Sequence, residues 1–329
     1  IKRYHSYFQQ MVLLRDTFVT KINKIFNNLL FSKNLKNIKL IFILVFLIIV
    51  WSIVWPLFRF VVQEIPPLVF RVSAGIPAAF LLLFLAKINS HKLSIPKNKW
   101  KSLFFISLCN VTLWQVLMLY GVSLLGGGRA AVLGYTMPVW AVIVASIFGY
   151  ERMTLSSFLA LCLGVFGVVS LTFGIDFFSN WIGILVMLMA GLSWGVGTMI
   201  LKYGGLNYNG FVIAGWQQLI GIVPVIPFAI LWDFENIGNP DFRHFLVLIF
   251  AVFFSSAYTY WAYFVVLQNF TVTVTSISVM MVPVLALLID AFYLNLDVSY
   301  YDLIALLLIV ISIFVAATKP FEKKKKKLE

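Results

Sequence analysis

The sequence predicts an all-α integral membrane protein with ten transmembrane helices, arranged as two inverted five-helix repeats around a central cavity. Of the 329 residues, 62% are hydrophobic and only 11% are charged, a composition far more apolar than that of a soluble domain. The apolar residues fall into blocks of about 20, the length that an α-helix needs to cross the hydrocarbon core of a bilayer. A weak internal match between the two halves predicts the repeats.

Ten blocks have the length and composition of membrane spans. The predicted spans are residues 40–60, 66–86, 102–122, 129–149, 155–174, 181–202, 209–231, 245–267, 272–292 and 301–318. They place the first repeat in 40–174 and the second in 181–318, with a basic tail in 319–329. Residues 1–39 are expected to be cytoplasmic, as an amphipathic helix on the membrane surface or as a poorly ordered extension.

Lysines cluster in three parts of the chain that an even number of spans places on one side of the membrane. The positive-inside rule makes this side cytoplasmic. We therefore expect a multi-pass protein of the plasma (inner) membrane with cytoplasmic N- and C-termini. Anionic lipid headgroups are the expected partners of this basic face, and nucleic acid is not expected. These lysines are Lys21, Lys24, Lys33, Lys36, Lys39, Lys87, Lys92, Lys97, Lys99, Lys101 and Lys323 to Lys327.

The residues that enzymes and metal sites use are scarce in this sequence. The two cysteines, Cys109 and Cys162, lie inside apolar blocks and have no metal-binding spacing. The three histidines, His5, His91 and His244, lie outside the apolar blocks or at their edges. We therefore predict no cofactor, no metal and no catalytic site.

Matching residues recur in the two halves at an offset of about 145 residues. Trp51 corresponds to Trp194, and Pro138, near the middle of the fourth span, corresponds to Pro283 in the ninth. Each half holds five spans, an odd number, so the second half enters the membrane from the opposite side. Transporters built in this way bind substrate between the repeats, near the midplane. Proline interrupts a helix, and the two prolines are either a pair of gates or ordinary kinks.

Three stretches resemble the EamA-like family of the drug/metabolite transporter superfamily. They are RAAVLGYTMPVWAVIVASIFGYERMT (129–154), LVFRVSAGIPAAFLLL (68–83) and LSWGVGTMILKYG (192–204), within a resemblance that covers about residues 40–318. The resemblance implies ten helices in two inverted repeats, a central cavity, and transport of small organic solutes, often amino acids and frequently outward. It also implies an acidic residue after the fourth and ninth helices. Glu151 matches the first, whereas Asp297 is displaced by one position.

Polar and aromatic side chains deep in the spans are the candidates for binding substrate. Arg71, about one turn inside the second span, is expected either to bind a substrate carboxylate or to extend to the membrane surface. Asp290, in the ninth span, is a candidate coupling site or a partner of an arginine. Each of the others lines the cavity or packs between helices. They are Trp51, Trp55, Asn110, Trp114, Gln115, Tyr135, Trp140, Trp194, Trp216, Gln217, Tyr258 and Trp261.

The predicted function is secondary transport, as an exporter or exchanger, of small polar or zwitterionic metabolites by alternating access. Amino acids are the expected small-molecule substrates. Because carboxylates are almost absent from the middle of the spans, facilitated diffusion or exchange driven by substrate gradients fits better than proton coupling. Transport of a nucleoside-like or partly cationic metabolite is the alternative. A structural membrane protein that transports nothing is the alternative from another class.

Overall fold

The computed structural model describes residues 35–125, 127–150, 153–170, 180–294, 300, 301, 303, 304, 307, 308, 311, 312 and 315. Glu151, Asp297, the basic tail and most of the N-terminal extension lie outside these residues, as does much of the tenth predicted span. The side chain of Asp290 lies outside them too. Phe46 begins the larger of two compact units, and every contact reported below lies within that unit.

The described chain is helical, and none of its residues lies in a β-strand. Six helices are long and apolar enough to cross a membrane, namely α1, α2, α3, α7, α8 and α9. The described helices are α1 (Leu35–Val61), α2 (Pro67–Ile88), α3 (Lys97–Leu125), α4 (Gly127–Gly134), α5 (Met137–Ile147), α6 (Leu155–Ser170), α7 (Trp181–Tyr203), α8 (Gly210–Asn236), α9 (Phe242–Asn269), α10 (Val272–Val279) and α11 (Met281–Leu294). The all-α membrane architecture agrees with the sequence, while the count of ten spans stays a prediction.

Polar side chains cap three of the long helices where they begin. Asn180 accepts a hydrogen bond from the third residue of α7, and Asn209 accepts one from the second residue of α8. Asp241 and His244 form a capping box at the start of α9, in which each side chain bonds the backbone N–H of the other residue. Hydrogen bonds from Arg243 and then from His244 hold the pKa of the Asp241 carboxyl well below its usual range. These caps satisfy backbone donors that a helix start otherwise leaves unpaired.

The fourth and ninth predicted spans are each divided into two helices just before a proline. α4 ends at Gly134, and α5 begins at Met137 with Pro138 as its second residue. In the same way α10 ends at Val279, and Pro283 is the third residue of α11. Proline has no N–H to bond the preceding turn, so it fits the start of a helix and interrupts a continuous one. The two interruptions correspond to each other at the offset of about 145 residues that relates the two halves of the chain.

Two glycines one turn apart on α7 allow this helix to pack directly against α5. A Cβ added at Gly195 would lie 2.7 Å from the backbone nitrogen of Ala141 and 2.9 Å from the carbonyl carbon of Trp140. A Cβ added at Gly191 would lie 2.8 Å from the hydroxyl oxygen of Thr136, at the break between α4 and α5. This spacing of small residues is the one that lets membrane helices approach closely.

Four acidic residues, Glu64, Asp233, Glu235 and Asp241, lie together at one end of the larger unit, which we call the acidic end. The carboxylate of Glu64 accepts a hydrogen bond of 2.7 Å from the backbone of Asn239 and so ties the α1–α2 loop to the α8–α9 loop. The buried Asp233 accepts a 2.9 Å bond from the backbone N–H of Leu68 and thereby caps the start of α2. Carboxylates in this part of the chain therefore hold helix ends from both halves together.

The opposite end carries Lys87, Lys92, Lys97, Lys99 and Lys101, and we call it the basic end. α2 joins the two ends with 22 residues, a length of about 33 Å. The side chain of Lys202, at the end of α7, donates a 2.7 Å hydrogen bond to the carbonyl of Phe270 after α9. A cation at the end of a helix stabilises its unpaired carbonyl groups. The five lysines and the four acidic residues therefore lie at opposite ends, with Arg243 paired to Asp241 at the acidic end. The cytoplasmic orientation of the basic end stays a prediction.

Candidate functional site

A cavity lies among helices of both halves of the chain. The space between its walls is about 460 Å³, including the solvent at its mouth. α1 and α3 supply most of the wall from the first half, and α7 and α9 supply the wall from the second. The lining residues are Trp51, Val54, Trp55, Phe58, Arg71, Trp114, Gln115, Met118, Tyr135, Met137, Trp194, Ser255 and Tyr260.

Seven of the residues that the sequence singles out line this cavity. They are Trp51, Trp55, Arg71, Trp114, Gln115, Tyr135 and Trp194. Two more lie directly behind the wall. Asn110 accepts a hydrogen bond from the Tyr260 hydroxyl through its backbone carbonyl, and Pro138 follows the lining residue Met137 in α5. The structure therefore brings together residues that are far apart in the sequence.

The remaining predicted aromatic residues and one glutamine lie elsewhere. Trp216 is at the basic end, where its indole N–H donates a 2.8 Å bond to the carbonyl of Leu93. Trp140 packs at the contact of α5 with α7. The rings of Tyr258 and Trp261 are 5.9 Å apart on α9, outside the lining set. Gln217 is buried in α8 without lining the cavity. Pro283 is buried in α11.

Arg71 is the one charged residue among the lining side chains, and only 1% of its surface is exposed. One terminal nitrogen, Nη2, donates a 2.8 Å hydrogen bond to the hydroxyl of Ser256 and a longer one, 3.4 Å, to the amide oxygen of Gln218. Its Nε is buried and has no hydrogen-bond partner. Among the described residues, no carboxylate forms an ion pair with Arg71. Within the described part of the chain, the guanidinium is therefore buried without a counter-charge, and its Nε is a free donor.

Aromatic rings form one side of the cavity around Trp194. The centroid of the Trp194 ring lies 5.2 Å from that of Trp114 and 5.6 Å from that of Trp51. Tyr260 and Tyr263 approach the same ring at 5.9 Å and 5.1 Å. These separations and tilted or edge-on orientations are those of favourable aromatic pairs. The cluster connects α1 and α3 of the first half with α7 and α9 of the second.

The break between α4 and α5 faces the cavity because Gly134 has no side chain there. A Cβ added at Gly134 would lie 3.1 Å from the Trp55 ring and 3.5 Å from the Trp114 ring. The next residue, Tyr135, is buried in the wall, and its ring centroid is 5.9 Å from that of Trp55. The nearest atom to that Cβ would be the Cε of Met187, at 2.9 Å, so a larger residue at position 134 would have to displace this side chain and crowd the two rings. The short segment before Pro138 therefore shapes the binding space directly.

Two helices that contact the cavity, α3 and α9, each contain a π-helical segment. Leu108–Leu113 in α3 and Ala251–Tyr258 in α9 are π-helical. Such segments are rare, and they are frequent at functional sites. The segment in α9 carries Ser255, which lines the cavity, and Ser256, which accepts the hydrogen bond from Arg71. The two segments correspond to each other at the offset of about 145 residues that relates the two halves of the chain.

A chain of hydrogen bonds links α3 and α9 across the cavity wall. The side-chain Nε2 of Gln115 donates to the hydroxyl of Tyr260, and that hydroxyl donates to the backbone carbonyl of Asn110. A tyrosine hydroxyl has a single hydrogen to donate, so its oxygen must accept from Gln115. The Oε1 of Gln115 is then left buried and without a partner.

The sequence did not single out six of the lining residues. Val54, Phe58, Met118 and Met137 are ordinary apolar residues, whose sequence context carries no signal for a cavity. Tyr260 did have such a signal, because it follows Trp114 at about the offset that relates the two halves of the chain. These six are Val54, Phe58, Met118, Met137, Ser255 and Tyr260.

The lining groups are suited to binding a small organic molecule. The lining side chains include no Asp, Glu or His. Within the described part of the chain, no three His, Cys, Asp or Glu side chains come together as a metal site. The cavity instead offers one guanidinium, amide and hydroxyl groups, and large aromatic faces, which together can hold a small organic molecule that carries an anionic group.

Comparison with known proteins finds similar sequences and a similar fold. The protein YoaV of Bacillus subtilis, described as an uncharacterized transporter, is 28% identical over 286 residues, which are 84% of this chain and 96% of that protein. A WAT1-related chloroplastic protein of Arabidopsis thaliana is 24% identical over 251 residues, 73% of this chain and 60% of that protein. A solved crystal structure superposes with a TM-score of 0.72 at 17% identity, covering 84% of this chain and 96% of the other, and so shares the fold.

The two halves of the chain also match one family model in turn. The model of the EamA-like transporter family matches residues 38–173 and again residues 181–318. These ranges contain every residue that lines the cavity. The match therefore extends over nearly all of the chain, and the chain belongs to the EamA-like transporter family.

Proposed function

We propose that this protein exports or exchanges small zwitterionic or polar metabolites, amino acids foremost, by alternating access to the cavity. The observation that carries the proposal is the buried and unpaired guanidinium of Arg71 in the cavity wall. Burying a charge without a partner is costly in a membrane protein. A substrate carboxylate would supply the missing counter-charge and accept a charge-assisted hydrogen bond from the free Nε.

The rest of the cavity suits the remainder of an amino acid. Val54, Phe58, Met118 and Met137 provide apolar contacts for a side chain. The rings of Trp51 and Trp194 line the cavity, and indole rings suit stacking or attraction of an ammonium group. This aromatic surface also supports the second candidate, a nucleoside-like or partly cationic metabolite. Such a substrate would bind the rings and would leave Arg71 without a counter-charge.

Alternating access needs elements that can bend while the cavity stays between them. The helix breaks before Pro138 and Pro283 interrupt the backbone hydrogen bonds at related positions of the two halves. The π-helical segments of α3 and α9 also lie beside the cavity. We propose that these four interruptions, rather than the prolines alone, allow the two halves to move against each other.

Exchange in proteoliposomes tests this proposal. Vesicles with purified protein are loaded with one unlabelled compound, and entry of labelled amino acids or nucleosides is followed with and without an imposed pH gradient. We expect amino acids to exchange, and we expect the pH gradient to leave the rate unchanged, because no lining side chain is a carboxylate or a histidine. Exchange of nucleosides alone would contradict the amino acid assignment. A rate that follows the pH gradient would contradict the proposed coupling.

A further inference from the structure

We propose that Gln115 recognises a hydrogen-bond donor on the carbon next to the substrate carboxylate, so that the protein selects 2-amino and 2-hydroxy acids over 2-oxo acids. This inference rests on the proposed function, because it needs a carboxylate on Arg71. It adds a second contact point and a rule of selectivity that the charge of Arg71 cannot supply. Both residues line the same cavity.

The first step is that each residue has one buried polar atom left unpaired. Arg71 has a free donor in Nε, and Gln115 has a free acceptor in Oε1. An unsatisfied buried polar group is unfavourable, so each atom favours a ligand with the opposite capacity. A ligand that carries both an acceptor and a donor is therefore favoured. A carboxylate with an adjacent amine or hydroxyl has this arrangement.

The second step is that the orientation of the Gln115 amide is fixed. An amide in a cavity can turn over and present its NH₂ group instead of its oxygen. Here the Tyr260 hydroxyl uses its hydrogen on the carbonyl of Asn110 and must accept from the NH₂ group of Gln115. The amide oxygen is thereby held free for the ligand. Tyr260 acts as a positioning residue for this contact.

The third step concerns what the cavity would reject. The carbonyl oxygen of a 2-oxo acid has no hydrogen to give and would face the lone pairs of Oε1. A plain carboxylic acid would leave Oε1 unsatisfied. Sites built to hydrogen-bond a donor discriminate strongly against ligands that lack it. We expect the loss of this contact to weaken binding at least about tenfold.

Four ligands that differ only at carbon 2 test the inference. They are L-leucine, 2-hydroxy-4-methylpentanoate, 4-methyl-2-oxopentanoate and 4-methylpentanoate, titrated calorimetrically into the purified full-length protein. The hydroxy acid and the oxo acid carry the same charge, so their comparison isolates the hydrogen bond. We expect the first two ligands to bind at least about tenfold more tightly than the last two.

Three variants separate recognition from a general loss of structure. Gln115→Leu should bind all four carboxylates with dissociation constants within about threefold of one another. Tyr260→Phe should also reduce the preference, because it frees the amide to turn. Gln217→Leu removes a glutamine that is equally buried but lies outside the cavity, and it should keep the wild-type preference. If Gln115→Leu does not fold, as judged by gel filtration, the Tyr260→Phe variant decides.

The outcomes distinguish this inference from the proposed function. Equal binding of the four ligands to the wild type, or a preference that survives in Gln115→Leu and Tyr260→Phe, overturns the role of Gln115 and leaves Arg71 as a carboxylate site. Binding of none of the four ligands overturns the proposed function and this inference with it.

Discussion

Replacing Arg71 with methionine is expected to raise the apparent melting temperature of the substrate-free protein while abolishing its transport. The guanidinium is 1% exposed and has no carboxylate partner among the described residues. Methionine removes the buried charge, and replacing buried ion pairs by well-packed apolar residues is often neutral or stabilising by about 1–4 kcal/mol. A lone buried charge lacks even the attraction of a partner, so we expect a gain in stability here. Transport should fall at least about 100-fold, because a charge-assisted contact to the substrate is lost.

The opposite signs of the two effects make this prediction specific. Thermal unfolding in detergent measures the first effect, and exchange in proteoliposomes measures the second. Arg59→Met is the matched control, because Arg59 lies in α1 with an exposed side chain. It should change neither quantity appreciably. A lower melting temperature for Arg71→Met would mean that the bonds to Ser256 and Gln218 outweigh the burial of the charge. Transport retained by that variant would mean that Arg71 does not bind the substrate.

Replacing Gly195 with alanine is expected to lower the stability of the protein by about 1–3 kcal/mol. The added Cβ would lie 2.7 Å from the backbone nitrogen of Ala141 and 2.9 Å from the carbonyl carbon of Trp140. Backbone atoms cannot rotate away as a side chain can, so α7 and α5 must separate. α5 carries Met137 and α7 carries Trp194, and both residues line the cavity. Substrate binding should weaken together with the stability.

Gly183→Ala is the control for this second prediction. It places the same methyl group on α7, but its nearest contacts are side-chain atoms of Leu124 and Leu125 near the helix end. Those side chains can shift, so the loss of apparent melting temperature should be clearly smaller than for Gly195→Ala. Equal losses for the two variants would show that the close approach of α5 and α7 has no special role.

The sequence predicted the membrane class and part of the site because these depend on strong local signals. Long apolar blocks identify spans directly, and Pro138 and Pro283 interrupt helices for a reason that needs no tertiary contact. Arg71, Trp51 and Trp194 are conspicuous because charge and indole groups are costly in lipid and are expected to find partners. All three line the cavity.

The faces of the helices could not be predicted in the same way. A regular helix with 3.6 residues per turn places Tyr258 and Trp261 on one face, and their rings do lie 5.9 Å apart. The π-helical segment Ala251–Tyr258 changes the winding and thereby which face of α9 meets the cavity. The cavity receives Ser255 and Tyr260 instead. Trp216 lies away from the cavity for another reason. α8 begins at Gly210, so this ring lies within two turns of the helix start and bonds the loop before α3.

The central claim is that Arg71 binds the carboxylate of the transported molecule, and neutralising that carboxylate tests it most directly. Exchange of labelled L-amino acids through the wild-type protein is measured in proteoliposomes beside exchange of the corresponding amino acid amides. These pairs keep the side chain and the amino group and differ in the anionic charge. We predict exchange of the acids and little or none of the amides. Equal exchange of acids and amides would contradict the claim.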